Sequence, residues 1–132
     1  MGKQKLNVLV IEDDEYSRDA LAHLLAAEGY GAESADDGES GYARAKELHP
    51  DIIVLDLSLP GIDGRRVIEM IRRDPALNST PILVVTGHSD TEAQQAVELG
   101  ADAYLTKPVE FDDLIGAISD LGARPAVSEV TR

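Results

Sequence analysis

Five short strand-like runs recur along the chain, and a polar or charged residue closes each; no other feature of the sequence restricts the fold as much. The runs are Leu6 to Ile11, Gly31 to Ala35, Ile52 to Leu55, Ile82 to Val85 and Ala103 to Lys107. Branched apolar residues dominate the first, third and fourth, and Gly31 to Ala35 is the weakest. Apolar residues at helical spacing lie between the runs: Leu21, Leu24 and Leu25 up to Gly29, then Tyr42, Ala45 and Leu48 up to His49-Pro50. Val67, Ile68 and Ile71 follow, ending near Arg72-Arg73-Asp74-Pro75; then Ala93, Ala96 and Val97 up to Gly100, and finally Leu114, Ile115, Ile118 and Leu121. Glycine and the residue before proline are ordinary helix stops. Strands that are apolar throughout, rather than alternately, predict a parallel sheet covered by helices on both faces. The expectation is a single (βα)5 domain of three layers. Right-handed crossovers bring every strand's C-terminal end to one edge, the edge where open α/β sheets bind ligands.

Composition narrows the classes of function. The 132 residues are of single-domain size, and 43% hydrophobic with 28% charged residues is ordinary for a globular chain. Twenty-five acidic residues against 12 basic ones give a net charge of −13, which repels phosphate backbones and anionic lipid, so direct nucleic-acid binding is not expected. Arg65-Arg66 and Arg72-Arg73 make at best a local basic patch. With no cysteine, disulfides, thiolate metal sites and cysteine nucleophiles are excluded. The apolar run before Glu12 is too short for a signal peptide or a membrane span, so a cytoplasmic protein without membrane insertion is expected. The domain is expected over residues 5–121, with 122–132 a short tail too small for an output module.

The predicted ligand edge collects Glu12, Asp13 and Asp14, then Asp36 and Asp37, then Asp56, Thr86 and Lys107. Asp14 and Asp36 fit the ordinary roles of acids after strands, helix caps and solvated loops. Glu12, Asp13 and Asp56 gathered without a counter-charge would repel one another, so the cluster calls for protons or a cation. An all-oxygen set with no His or Cys beside it suits Mg²⁺ or Mn²⁺ rather than Zn²⁺. His23 and His49 have no partner at ligand spacing and read as surface or cap residues, and Tyr16, Tyr30 and Tyr42 as packing residues.

In order along the chain stand Val-Leu-Val-Ile-Glu-Asp-Asp at 8–14, Asp-Ile-Ile-Val-Leu-Asp-Leu-Ser-Leu-Pro-Gly-Ile-Asp-Gly at 51–64, Pro-Ile-Leu-Val-Val-Thr-Gly at 81–87 and Gly-Ala-Asp-Ala-Tyr-Leu-Thr-Lys-Pro at 100–108. Together these segments resemble the receiver domains of bacterial two-component response regulators. The resemblance implies a flavodoxin-like sheet of order 2-1-3-4-5 and a phosphoacceptor switch. It implies Asp56 as the phosphorylated residue, and Glu12, Asp13, Asp56 and the Ser58 carbonyl as holders of Mg²⁺. Thr86 would be the switch hydroxyl, Lys107 the cation paired with the active-site anion, and Tyr104 the aromatic that follows the switch. It also favours a cis Lys107-Pro108 bond, where the dipeptide alone favours trans.

The implied partners are a histidine kinase or histidine phosphotransfer protein and a downstream protein target reached through the fourth helix, fifth strand and fifth helix. Such a chain assists only its own phosphorylation and dephosphorylation; it works alone or as a piece of a larger regulator or hybrid kinase. Ser58 and His88, two residues after Asp56 and Thr86, would flank the line of water attack, and His88 would either obstruct that water, the expectation favoured, or orient it. An aspartate-nucleophile phosphohydrolase is the competing enzyme reading, but Ser58 stands where such enzymes carry their acid. A nucleotide or flavin binder would need a glycine-rich cradle after the first strand, and that loop is acidic.

Overall fold

The computed structural model describes residues 6–123. Strands and helices alternate as β1 (Asn7–Ile11), α1 (Glu15–Ala27), β2 (Gly31–Ala35), α2 (Gly38–Leu48), β3 (Ile52–Leu55), α3 (Gly64–Arg73), β4 (Ile82–Thr86), α4 (Asp90–Leu99), β5 (Ala103–Thr106) and α5 (Phe111–Gly122). All strand pairings are parallel, in the order β2-β1-β3-β4-β5. Three limits differ slightly from the sequence expectation: Leu6 precedes β1, Thr86 is the last residue of β4, and Lys107 lies just beyond β5. Most of the expected tail, residues 124–132, lies outside the described residues.

The continuous apolar strands are explained by burial on two sides. Leu9, Ile11, Ile53, Leu55, Ile82 and Val84 pack in one cluster with Ala45 of α2, Val67, Ile68 and Ile71 of α3 and Ala96 of α4. Their neighbours Val8, Val10, Ile52, Val54, Leu83 and Val85 pack in a second cluster with Leu25 of α1 and Leu114, Ile118 and Leu121 of α5. Successive strand residues point to opposite faces, so burying both faces requires apolar side chains at every position. Edge strand β2 lacks this and carries the half-exposed Glu33, paired with Arg44 at 2.6 Å. Three expected packing residues face water instead: Tyr16 is 87% exposed, Leu24 38% and Val97 36%. Tyr16 lies in the first turn of α1, and Leu24 and Val97 are beside the buried Leu25 and Ala96, at the rim of stripes wider than the contact they make.

Helix starts are set by acids at the ligand edge. Asp14 accepts the Ser17 N–H at 2.9 Å and caps α1, Asp37 accepts the Ser40 N–H at 2.7 Å and caps α2, and Asp63 accepts the Arg65 N–H at 2.7 Å and caps α3. Asp36 is an exposed loop residue, the cap falling to its neighbour. His49 ends α2 in the left-handed region at φ 48°, and His23 is exposed with its ring nitrogen on the Asp19 carbonyl.

The bonds from the Ser17 and Ser40 amides hold the Asp14 and Asp37 carboxyls below the usual carboxylate range. Their contribution is complete above the unfolded-chain pKa of about 3.9 and is lost as pH falls through the lower folded values. Asp37→Asn keeps an acceptor for the Ser40 N–H but removes the titrating charge. It is expected to flatten the acid side of the stability profile, measured by urea unfolding from neutral pH downward.

Candidate functional site

The C-terminal ends of β1, β3, β4 and β5 meet in one pocket because their main-chain ladders run past the strand ends. The Asp56 N–H donates to the Ile11 carbonyl at 3.1 Å, the Glu12 N–H to Ala35 at 3.1 Å and the Lys107 N–H to Thr86 at 2.8 Å. Gly64 adds a steric condition, since a Cβ there would lie 2.5 Å from the Asp56 carbonyl oxygen and 2.7 Å from the Leu57 Cα. Only glycine lets α3 begin directly against the backbone that carries Asp56.

Carboxylate oxygens of Glu12, Asp13 and Asp56 lie within 4.8 Å of one another. Glu12 and Asp56 are buried, whereas Asp13 is exposed. The Lys107 ammonium sits between the buried pair, 3.0 Å from Glu12 Oε1 and 3.2 Å from Asp56 Oδ2. Backbone amides take the remaining oxygens: Asp14 donates to Glu12 Oε2 at 3.0 Å and Ser58 to Asp56 Oδ1 at 3.1 Å. Burial pushes the Glu12 carboxyl above its ordinary range although the Asp14 amide and Lys107 pull it down. Burial alone would lower the Lys107 ammonium, but its bond to Glu12 and the charge of Asp56 outweigh that and raise it. Both directions describe a pocket short of positive charge, which gains from another cation or a proton. Oxygen donors in this number, with two amides fixing their orientation, fit a hard divalent cation.

Thr86 is fully buried, and its hydroxyl oxygen accepts the His88 N–H at 3.2 Å. Tyr104 pairs in register with Val84, two residues before Thr86, and packs against the cluster under α2, α3 and α4. Its hydroxyl accepts a bond of 3.4 Å from the Gln94 side chain of α4. The Lys107-Pro108 peptide is cis. Glu12, Asp13, Asp56, Ser58, Thr86 and Lys107 lie at this edge, with Tyr104 one step behind it. Three polar partners were not singled out. Arg18 Nη1 donates to the Glu12 carbonyl at 3.0 Å, Glu92 of α4 meets His88 Nδ1, and Arg65 of α3 lies 3.7 Å from the same Glu92 oxygen. The spacing His88 to Glu92 is the helical i, i+4 interval, the one local signal that pointed to a contact.

A family model of the response regulator receiver domain matches residues 8–119. This chain belongs to the response regulator receiver family. The sensory transduction protein RegX3 of Mycolicibacterium smegmatis is 42% identical over 114 residues, covering 85% of this chain and 48% of that protein. The DNA-binding dual master transcriptional regulator RpaA of Synechocystis is 36% identical over 115 residues, covering 86% and 48%. The chain thus spans about half the length of these curated relatives. Among solved structures, Vibrio cholerae chemotaxis protein CheY4 superposes with a TM-score of 0.84 at 28% identity, covering 89% of this chain and 99% of that one. The CheY-like receiver domain protein of Methanospirillum hungatei gives 0.84 at 27% identity, with 90% and 94% coverage. The receiver family and the strand order expected from the quoted motifs are both found.

Lys107 is the single ammonium bonded to the buried carboxylates among the described residues. Lys107→Met is expected to lower stability in chelator by about 2 kcal/mol, less than the ~3–5 of a fully buried pair because this lysine is partly solvated. Adding Asp56→Asn should recover part of the loss, and urea unfolding of the two variants measures both effects.

Proposed function

We propose that residues 5–121 form a phosphorylation switch in which Asp56 accepts a phosphoryl group from a phosphohistidine on a kinase or phosphotransfer protein. The observation that carries this reading is the Asp56 carboxylate itself. It is buried at a strand end, oriented by the Ser58 amide, paired with Lys107 and beside two further carboxylates. An Asp56 oxygen attacks phosphorus, the phosphorus–nitrogen bond to the donor histidine breaks, and an acyl phosphate forms. Glu12, Asp13, Asp56 and the Ser58 carbonyl would hold Mg²⁺, or Mn²⁺, which when bound neutralises charge on the transferred group. Lys107 supplies the second positive charge. The chain then assists its own phosphorylation and dephosphorylation and turns over no other substrate.

The added phosphoryl group carries roughly −2 charge and three acceptor oxygens. The Thr86 hydroxyl oxygen accepts from the His88 N–H, which leaves its proton to donate. Drawing Thr86 toward Asp56 opens space on the face it shares with Tyr104, and the α4, β5 and α5 surface carries the change to a protein target. No helix among the described residues is long and apolar enough to cross a membrane, and the acidic surface supports a cytoplasmic, protein-to-protein role without direct nucleic-acid contact. The doubled length of the curated relatives supports a second setting, in which this domain serves as the receiver portion of a larger regulator or hybrid kinase.

A small acyl phosphate or phosphoramidate with Mg²⁺ is expected to add one phosphoryl group, and Asp56→Asn to abolish it, since an amide cannot form the acyl phosphate. Intact-protein mass spectrometry reads both, and unchanged labelling of the variant would move the acceptor elsewhere. Separately, Asp13→Asn is expected to weaken Mg²⁺ binding more than Asp14→Asn, because the Asp14 carboxylate is engaged in capping α1. Calorimetry with the metal alone compares them, and equal losses would remove Asp13 from the ligand set.

A further inference from the structure

Three carboxylates converge at the strand ends, but they are not held in the same way. Glu12 is gripped at both oxygens, by Lys107 and by the Asp14 amide, and Asp56 likewise by Lys107 and the Ser58 amide. The Asp13 carboxylate is exposed and accepts no hydrogen bond among the described residues. Its direction is therefore set by the main chain that carries it, and Arg18 constrains that main chain. From the first turn of α1, Arg18 Nη1 donates to the Glu12 carbonyl at 3.0 Å and to the Asp13 carbonyl at 3.3 Å. These carbonyls belong to the two planar peptide units on either side of the Asp13 Cα, so one nitrogen bonded to both ties the planes together and restricts φ and ψ of Asp13. Arg44, Arg65, Arg66 and Arg72 each pair with a carboxylate. Arg18, in a chain with 25 acidic residues, bonds carbonyls instead.

We infer that Arg18 is a positioning residue for the metal centre, its guanidinium locking the Asp13 backbone so that this carboxylate stays beside Glu12 and Asp56 before a cation binds. The inference rests on the metal-holding set proposed above, Asp13 included. Glu12 and Asp56 do not need Arg18, because their own bonds orient them, so the side chain acts through Asp13. Two of its effects oppose each other, which makes the role decidable. A guanidinium near the pocket repels a divalent cation, and by Coulomb's law alone its removal tightens binding. Loss of preorganisation works the other way: an unlocked Asp13 must be ordered as the cation binds, and fixing one residue's backbone costs about tenfold in affinity. The positioning role requires the second effect to win.

Calorimetry with the full chain and Mg²⁺ alone tests this on wild type, Arg18→Ala and Arg18→Lys, each with and without Asp13→Asn. Arg18→Ala is expected to bind about tenfold more weakly despite the lost positive charge. Arg18→Lys keeps the charge but ends one bond short of Nη1 and lacks the planar fork, so it should be weakened as well. In the Asp13→Asn background the effect of Arg18→Ala should shrink or reverse, since only the charge effect is then left. Urea unfolding in chelator checks the fold; Arg18 lines an open groove with Ser34, Ser40 and Arg44, so truncating it leaves no void in the core, and Arg18→Lys carries the same test should Arg18→Ala prove unstable. Absence of Mg²⁺ binding in wild type, or undiminished binding in Asp13→Asn, would overturn the metal-holding set and the role of Arg18 with it. Wild-type or tighter binding in Arg18→Ala would overturn the positioning role alone, as would a loss of the same size with and without Asp13→Asn.

Discussion

Glu12 and Asp56 are almost out of water at the ends of adjacent strands, and among the described residues one ammonium faces them both. Coulomb repulsion between such groups grows as the local dielectric falls, so the pair holds only because its geometry is imposed from outside. The sheet imposes it. The amides of Glu12 and Asp56 continue the β-ladder by one residue, while the apolar residues just before them, Ile11 and Leu55, are paired in register and fully buried. Moving either carboxylate away from the other would therefore break ladder bonds and expose core. Stability held in the sheet is what maintains the electrostatic deficit in the pocket.

That deficit gives the site its selectivity. A pocket that raises the Glu12 carboxyl above its ordinary range favours whatever brings positive charge, and it resists a bare anion. In the proposed function a phosphoryl group would enter such a pocket only together with a compensating cation, which would tie its transfer to metal occupancy. Lys107 enters from the far side of β4, bound by its own amide to the Thr86 carbonyl, so one main-chain hydrogen bond joins the residue paired with Asp56 to the buried Thr86. In the proposed switch the same chain of bonds would carry a charge change at Asp56 to β4 and β5.

Much of this was legible in the sequence because the physics that makes it is local. Apolar strands such as Ile52 to Leu55 announce burial on two faces, and the polar residue at each strand end is placed at the ligand edge by topology alone. The order of the strands was not legible from pattern, because parallel neighbours are joined by crossovers whose direction leaves no mark in the residues; the motif resemblance supplied it. Tyr16 was misjudged because aromatic character says nothing about where a helix leaves the sheet, and its position in the first turn of α1 puts it in solvent. The partners Arg18, Arg65 and Glu92 were missed for a different reason. Long polar side chains reach across elements, and sequence spacing records such contacts only when both ends lie about one helical turn apart, as for His88, just before α4, and Glu92 in its first turn.

The helices are not held equally, and this difference decides where a change at the pocket can go. Helix α3 places Val67, Ile68 and Ile71 in the core, whereas α4 contributes two alanines, Ala93 and Ala96, with Val97 and Leu99 partly in water. Apolar burial at about 25 cal/mol per Å² makes the anchoring of α4 much the weaker of the two. Polar contacts at its ends take over. Arg72 bonds the Gly100 carbonyl at 2.9 Å and Asp102 at 2.9 Å, fixing the C-terminal end to the start of β4 through the Thr80 carbonyl at 2.8 Å. The N-terminal end is held through Glu92 and His88 at the pocket itself. A helix tethered by hydrogen bonds at both ends and by little apolar surface between them depends on those tethers for its placement, and the N-terminal tether has its root at the Thr86 hydroxyl.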